Sequence, residues 1–367
     1  MFYEELDGSA VRSSKDRMIA HHTRGVNAAE RLRSLGYRLV GYHPAQLRIE
    51  RFRSDHQGTW EEFIRNSANG NLFQTRRFLA YHPAGRFEDH SLLFWRNKKL
   101  IAVAAGETAN GTWSSHRFTS HAGLAVAPEL SAAEALDLVH SLLSYGNAQG
   151  WQKLSMRYVP DVLAEHSFVT LAWALAVFGF SEDSREMTWC IVPRFSSEQE
   201  MLAAYHESAR RAIKKALRER LAAHETDNFP EFWNLLTENL KVRFRVSPTH
   251  SLSEIESLRG LCSGELQLHG VYHQGQMIAG ALIFDLSRSS SHCFYFAQNY
   301  EFQQARPMAL LMHHINCEYV LRRKRRLNYG VFTAHGATEL NLGLSRFKSN
   351  FAAMPAIRRR FTWEKKP

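Results

Sequence analysis

Leu340-Asn341-Leu342-Gly343-Leu344-Ser345-Arg346-Phe347-Lys348-Ser349-Asn350-Phe351 is the stretch on which the fold turns. Working backwards from it, Leu327 to Phe332 reads as a strand. Before that, Met308, Leu311, Met312, Ile315 and Tyr319 keep one apolar helical face behind Pro307, a residue suited to the first position of a helix. His292 to Ala297 is a strand again, and Leu268 to His273 with Met277 to Asp285 flank the turn Gln274-Gly275-Gln276 as a hairpin. The same order occurs earlier. Ser91 to Arg96 and Leu100 to Glu107 form a hairpin around Asn97-Lys98-Lys99, and Ala122 to Ala127 is a strand. Ser131 with Glu134 makes a capping box for a helix to Gln149, and Trp151 to Tyr158 is the following strand. A helix-like run ends at Phe178-Gly179-Phe180, and Met187 to Val192 closes the unit. Phe351 and Ile357 to Trp363 take the places of Phe180 and Met187 to Val192. The copies are offset by roughly 170–180 residues, a domain-scale duplication rather than a solenoid. A fold built twice leaves a cleft between its copies, where ligands commonly bind.

This predicts an α/β (α+β) protein of two tandem units. The expected boundaries are an entry segment over 1–50, a first domain over 51–194, a helical connector over 195–262 and a second domain over 263–367. In the entry segment, Asn27 to Leu35 has helical spacing and Tyr37 to Tyr42 reads as a short strand. A length of 367 residues with 44% hydrophobic and 12% aromatic content supports two cores and excludes disorder. No window approaches the ~20 apolar residues of a membrane-spanning helix, and the acidic start has no signal-like apolar region. Cys190, Cys262, Cys293 and Cys317 are far apart and lack CxxC spacing, which fits a reduced, cytoplasmic protein.

The formal charge of +10 is clustered. One group holds Arg210, Arg211, Lys214, Lys215, Arg218 and Arg220, in the connector; others are Arg322 to Arg326 and Arg358 to Arg360. If Ala209, Ile213, Ala216 and Leu217 pack on the protein, Arg210, Lys214 and Arg218 line the opposite or flanking face. That distribution fits a polyanionic partner such as tRNA, a nucleotide cofactor or a phosphorylated lipid, or a solvated helix. His269 and His273 on a strand, and His313-His314 on a helix, give no convergent ligands, so no metal site is expected. There is no P-loop, GxSxG or Rossmann fingerprint.

Several motifs resemble those of the FemAB family, whose members carry two tandem GNAT-like domains. Phe73-Gln74-Thr75 with Phe78-Leu79 resembles the entry motif of that family, and Ala209 to Ala216 its R-x-x-I-x-K-A helix. Ser291 to Ala297 resembles the H-x-x-Y-x-A strand of its polysaccharide-cluster branch, which Pro248-Thr249-His250-Ser251 also fits. Leu340 to Lys348 resembles the ending L-N-x-G-L-x-x-F-K. The resemblance covers about residues 55–365. Where the family often has Phe-Gly, this chain has Phe351-Ala352, which calls for a backbone avoiding positive φ.

The resemblance implies acyl or aminoacyl transfer to an amine or hydroxyl acceptor, sugar-linked or small, in envelope or polysaccharide synthesis. Phe347 and Lys348 then carry the transfer step, with Lys348 supplying positive potential for the oxyanion. His292 can act as base and Glu339 as a further one. Tyr295 can donate to a bound acyl group, although alternation puts it opposite His292 unless a bulge intervenes. Asn341 orients substrate, caps the final helix, or both. Gln74, Arg306, Arg211 and Lys214 complete the expected substrate contacts. Neither Gln303 to Pro307 nor Pro128 to Ser131 has the glycine-rich turn typical of acyl-CoA enzymes, so the donor stands open among aminoacyl-tRNA, acyl-CoA and acyl-carrier protein. Two alternatives remain: a CoA- or carrier-dependent N-acyltransferase of small molecules, and an inactive tandem protein binding RNA or another polyanion.

Overall fold

The computed structural model describes residues 28–83, 85–116, 119–334 and 338–365. Among them, eleven strands form one long sheet. From one edge the order is Ala222–Thr226, Leu266–His273, Gln276–Asp285, Ser290–Gln298, Arg326–Val331, Ser181–Ile191, Met354–Glu364, Lys153–Arg157, Thr112–Ser115, Gly106–Ala109 and Glu88–Asp89. A separate four-stranded sheet joins Arg48–Arg51, Leu92–Arg96, Lys99–Ala104 and Leu124–Val126. Both expected units are present, and their last strands are exchanged. Ser181–Ile191 of the first unit lies between Arg326–Val331 and Met354–Glu364 of the second, and Met354–Glu364 in turn pairs with Lys153–Arg157 of the first. Across this seam Arg358 and Glu186 face each other in register and bond at 2.6 Å, both largely buried. The units are thus hydrogen-bonded into one body.

Local chemistry follows the sequence closely. Asn97 takes the positive φ of 56° that the tight hairpin before Lys99 requires. Ser131 and Glu134 form the reciprocal capping box at the head of Ala132–Ala148. The connector opens with two helices, Glu198–Ala204 and Glu207–Arg218, continues through an edge strand, Ala222–Thr226, paired with Leu266–His273, and ends with two more helices, Phe229–Phe244 and Leu252–Leu261. Ala209, Ile213 and Ala216 are buried as expected, but Leu217 is 56% exposed. The apolar stripe therefore ends one residue earlier than its spacing suggested. The helix Ala28–Ser34 agrees with the expected one, whereas Tyr37 to Tyr42 forms no strand. Tyr42 instead donates its hydroxyl proton to buried Asp137 at 2.6 Å, and the strand of this region is Arg48–Arg51.

At the centre of the second unit the ladder opens. Ser290–Gln298 and Arg326–Val331 run parallel for three residue pairs, ending at His292 opposite Asn328. Just beyond, the register against Gln276–Asp285 shifts so that Leu282 faces Tyr295 and Ile283 faces Cys293, leaving Phe294 as a bulge. On the other strand Gly330 adopts φ +75°. Both strands leave the ladder at the same level, and a gap opens between them.

Candidate active site

A cavity of about 740 Å³ lies against this gap. Phe296 and Gln298 line it from the diverging strand, Tyr300 and Gln303 from the turn after it, and Arg306, Met308 and Met312 from the head of helix Pro307–Asn316. Arg211, Ala212 and Lys215 close it from helix Glu207–Arg218, and Asn341, Leu344, Phe347 and Lys348 from helix Leu342–Ser349. The last helix is held at both ends. Asn341 Oδ1 accepts from the Leu344 amide at 2.9 Å, and Phe351 packs edge-on against Phe347 at 5.3 Å. Trp189 Nε1 donates to Ser345 Oγ at 3.0 Å, tying the helix to the exchanged strand of the first unit. Asn341 therefore caps the helix and lines the cavity at once.

Lys348 is 5% exposed and sits at the inner end of the cavity. Its ammonium donates to the Gly330 carbonyl at 2.8 Å and the Val331 carbonyl at 3.0 Å. An ammonium has three donors, so one remains for a third partner. Burial lowers its pKa to about 8, with nearby Cys293 and Cys190 opposing that shift. A side chain built on Gly330 would lie 3.8 Å from Lys348 Nζ and 3.9 Å from His292 Cε1. Those are ordinary van der Waals distances, so the left-handed φ of +75°, rather than crowding, is what calls for glycine between the lysine and the imidazole.

His292 is buried, and its Nδ1 has no hydrogen-bond partner among the described residues. Its ring lies edge-on to Phe73 and 5.2 Å from fully buried His121, both from the first unit. Burial first, then Arg358 and Lys348, lower its pKa to about 3. The imidazole stays neutral, is a poor store for a proton and is not among the cavity residues, so the expected role as base does not fit its place. The Phe294 bulge also resolves the alternation problem, because it carries Tyr295 to the same face as His292. Tyr295 does not reach the cavity, however. Its hydroxyl bonds His250 Nδ1 at 3.0 Å, and His250 Nε2 bonds Tyr81 at 2.9 Å, a bridge from the second unit through the connector to the first.

Four further expectations change. Gln74 is fully buried away from the cavity; it accepts from Asn71 and donates to the Gly123 carbonyl at 3.0 Å, completing a turn rather than holding substrate. Glu339 lies exposed on the small Thr333–Ala334/Glu339–Leu340 ribbon and is not among the cavity residues. Lys214 points outward, whereas Arg211 and Lys215, one helical turn apart, face the cavity. In the sequence Lys215 is one member of the charge cluster, and the buried spacing of Ala209, Ile213 and Ala216 is the signal that selects it. Ala352 adopts φ +57°, contrary to the expectation that alanine there avoids the left-handed region. Gly179 takes φ +82° at the matching step of the first unit, so the turn keeps its shape in both copies.

Residues 203–349 match the family model of the acetyltransferase (GNAT) domain. Solved structures with the same fold include FemX, at 14% identity and a TM-score of 0.64, covering 86% of this chain and 97% of that one. A tandem GNAT protein from the clavulanic acid biosynthesis pathway aligns at 14% identity and a TM-score of 0.50, over 88% and 99% of the two chains. The C-terminal domain assigned to a lysylphosphatidylglycerol synthetase from Agrobacterium fabrum aligns at 11% identity and 0.56, over 85% and 93%. No curated protein is similar to the chain in sequence. Residues 203–349 thus carry a GNAT domain that spans much of the connector and the second unit, and the chain as a whole shares the fold of FemX and of the tandem GNAT protein.

Proposed function

Taking the chain as a GNAT acyltransferase of FemAB-like tandem fold, we propose that it transfers an acyl or aminoacyl group from a polyanionic donor, held in the second unit, to an amine. The observation that carries this reading is the 740 Å³ cavity ending on Lys348 at the opened ladder. Arg211, Lys215 and Arg306 surround that cavity, a potential suited to donor phosphates. The acyl carbonyl meets the third N–H of Lys348, and the acceptor amine approaches it through the same cavity. Attack forms the C–N bond and places negative charge on the oxygen beside Lys348. Collapse breaks the bond to the leaving oxygen or sulfur, which leaves with the proton lost by the amine.

The acceptor is sugar-linked or a small amine, and the setting is cytoplasmic synthesis of envelope or surface-polysaccharide components. FemX and the lysylphosphatidylglycerol synthetase domain, both of this fold, support the envelope setting by analogy alone. No helix among the described residues is long and apolar enough to cross a membrane. The test is to titrate the protein with acyl-CoA and with aminoacyl-tRNA, then follow transfer to amine acceptors with wild type and Lys348→Ala. Saturable binding of one donor, with turnover lost in the variant but binding retained, supports the proposal. Transfer that survives Lys348→Ala unchanged contradicts it.

A further inference from the structure

Outside the cavity, three side chains from distant parts of the chain converge on one point. Glu198 opens the first connector helix, His313 lies near the end of Pro307–Asn316, and Cys317 follows it by four residues, on the same helical face. One ligand atom from each lies within 4.8 Å of the other two. His313 Nε2 is 3.0 Å from Glu198 Oε1, and Cys317 Sγ is 3.8 Å from that same nitrogen. None of the three lines the donor cavity.

We propose that Glu198, His313 and Cys317 form a binding site for a zinc-class divalent ion, with solvent as the fourth ligand. One carboxylate oxygen, one imidazole nitrogen and one sulfur is a donor set that suits tetrahedral zinc, and hard cations such as magnesium would reject the sulfur. The spacing of Glu198 and His313 is that of neighbouring corners of such a site, and rotation of the Cys317 side chain brings its sulfur to a third. The surroundings supply an outer layer. His313 Nδ1 is 3.5 Å from the Tyr205 hydroxyl, which accepts from Asn316 at 2.9 Å, and Asn316 accepts from Tyr329 at 2.7 Å. That buried chain orients the ring with Nε2 toward Glu198, while Cys317 Sγ lies beside the ring, 3.8 Å from each of its nitrogens. The backbone widens into a π-helical turn beginning at Cys317, a local irregularity often found at functional sites. Glu198 is exposed and provides the side from which an ion and its water enter.

The ion would clamp the connector to the helix whose head forms one wall of the cavity. Met308 and Met312 of that helix line the cavity, and Tyr205, beside His313, holds Arg210 of the basic helix through its carbonyl at 2.9 Å. Sequence spacing could not reveal the site, because His313 is paired with Cys317 locally but Glu198 lies 115 residues away.

The test uses the full-length protein, freed of metal by a chelator and titrated with Co²⁺ and, by competition with a chromophoric indicator, with Zn²⁺. The expected result is one equivalent bound, with a near-ultraviolet thiolate-to-cobalt charge-transfer band. Cys317→Ser should abolish the band, and exposed Glu198→Gln, which leaves the core untouched, should weaken affinity by about tenfold or more. Cys262→Ser, remote from the site, should change neither. Absence of stoichiometric binding, or a band that persists in Cys317→Ser, overturns the proposal. Should Cys317→Ser not fold, unchanged affinity in Glu198→Gln overturns it equally.

Discussion

The two units share a chain path but not a site. An offset of 173 residues that carries Gly179 onto Ala352 also carries Ser181, the start of one exchanged strand, onto Met354, the start of the other. It places Leu175 where the second unit has Lys348, and Arg157 where it has Gly330. Leu175 is fully buried in the hydrophobic core, in a helix whose buried residues are all apolar. The head of Ala132–Ala148 is capped by Glu134, which pairs with Arg96 at 3.0 Å, whereas the head of Pro307–Asn316 presents Arg306 to the cavity. One copy has thus filled its slot with aliphatic side chains and an acid. The other keeps the slot open, with cations around it and a buried lysine at its end. The frame occurs twice; among the described residues, the cations and the buried lysine that the proposed donor site needs lie in the second copy.

Breaking that difference at its most sensitive point should have the largest effect. Lys348→Met should lower the transfer rate by about 10²–10³-fold, the usual consequence of deleting an oxyanion donor, while donor affinity changes little. Single-turnover kinetics at saturating donor checks this. The matched change in the first unit should act on stability alone. Leu175→Ala should cost roughly 2–5 kcal/mol in denaturant unfolding, with the activity per folded molecule unchanged. A catalytic loss in Leu175→Ala comparable to that in Lys348→Met would dissolve the comparison.

The pH response divides the same way. Alkaline loss of turnover belongs to the second unit, since Lys348 gives up its charge as pH rises through about 8. Acid lability belongs to both. Burial lowers His116 and His90 of the first unit to about 4, and His269 and His292 of the second to about 3. The unfolded chain therefore binds more protons below its ordinary histidine value of 6.5, and stability should fall as pH drops from there toward 3. Each such histidine adds up to about 1.4 kcal/mol per pH unit within its window. Urea titrations across pH 4–7 and rate profiles across pH 7–9 measure the two limbs separately.

Much of this contrast was legible in the sequence. The hairpins, the Ser131 cap, the basic helix and the Phe347-Lys348 ending are local patterns, set by turn chemistry and helical period, and they appear where expected. What local patterns could not reveal depends on contacts far apart in the chain. The strand exchange joins residues more than 170 positions apart, as Arg358 with Glu186. Gln74 stands in a motif that implied a substrate contact, and the partner that engages it instead, Gly123, is 49 residues away. Lys214 and Lys215 are adjacent in sequence but separated by the helix's orientation on the protein. Tyr37 to Tyr42 had the composition of a strand but no neighbouring strand with which to pair.

Two smaller changes sharpen the picture. Removing Lys215 and Arg306 together should raise the donor KM by roughly fivefold per charge and flatten its salt dependence, with kcat nearly unchanged. Initial rates at several ionic strengths test this. Ala352→Gly, which relieves a left-handed alanine and restores the residue found at Gly179, should stabilise the protein by about 1 kcal/mol or less in thermal unfolding without altering turnover.

The central claim is that the donor occupies the cavity of the second unit. It is tested most directly by measuring donor binding to Ala212→Trp. Ala212 lines the cavity from the connector helix and is only partly buried, so an indole there fills the space without displacing core residues. The account predicts a folded protein with an unchanged melting temperature and no saturable binding of the donor that wild type takes. Wild-type affinity for that donor in Ala212→Trp would show that it binds elsewhere and would contradict the assignment.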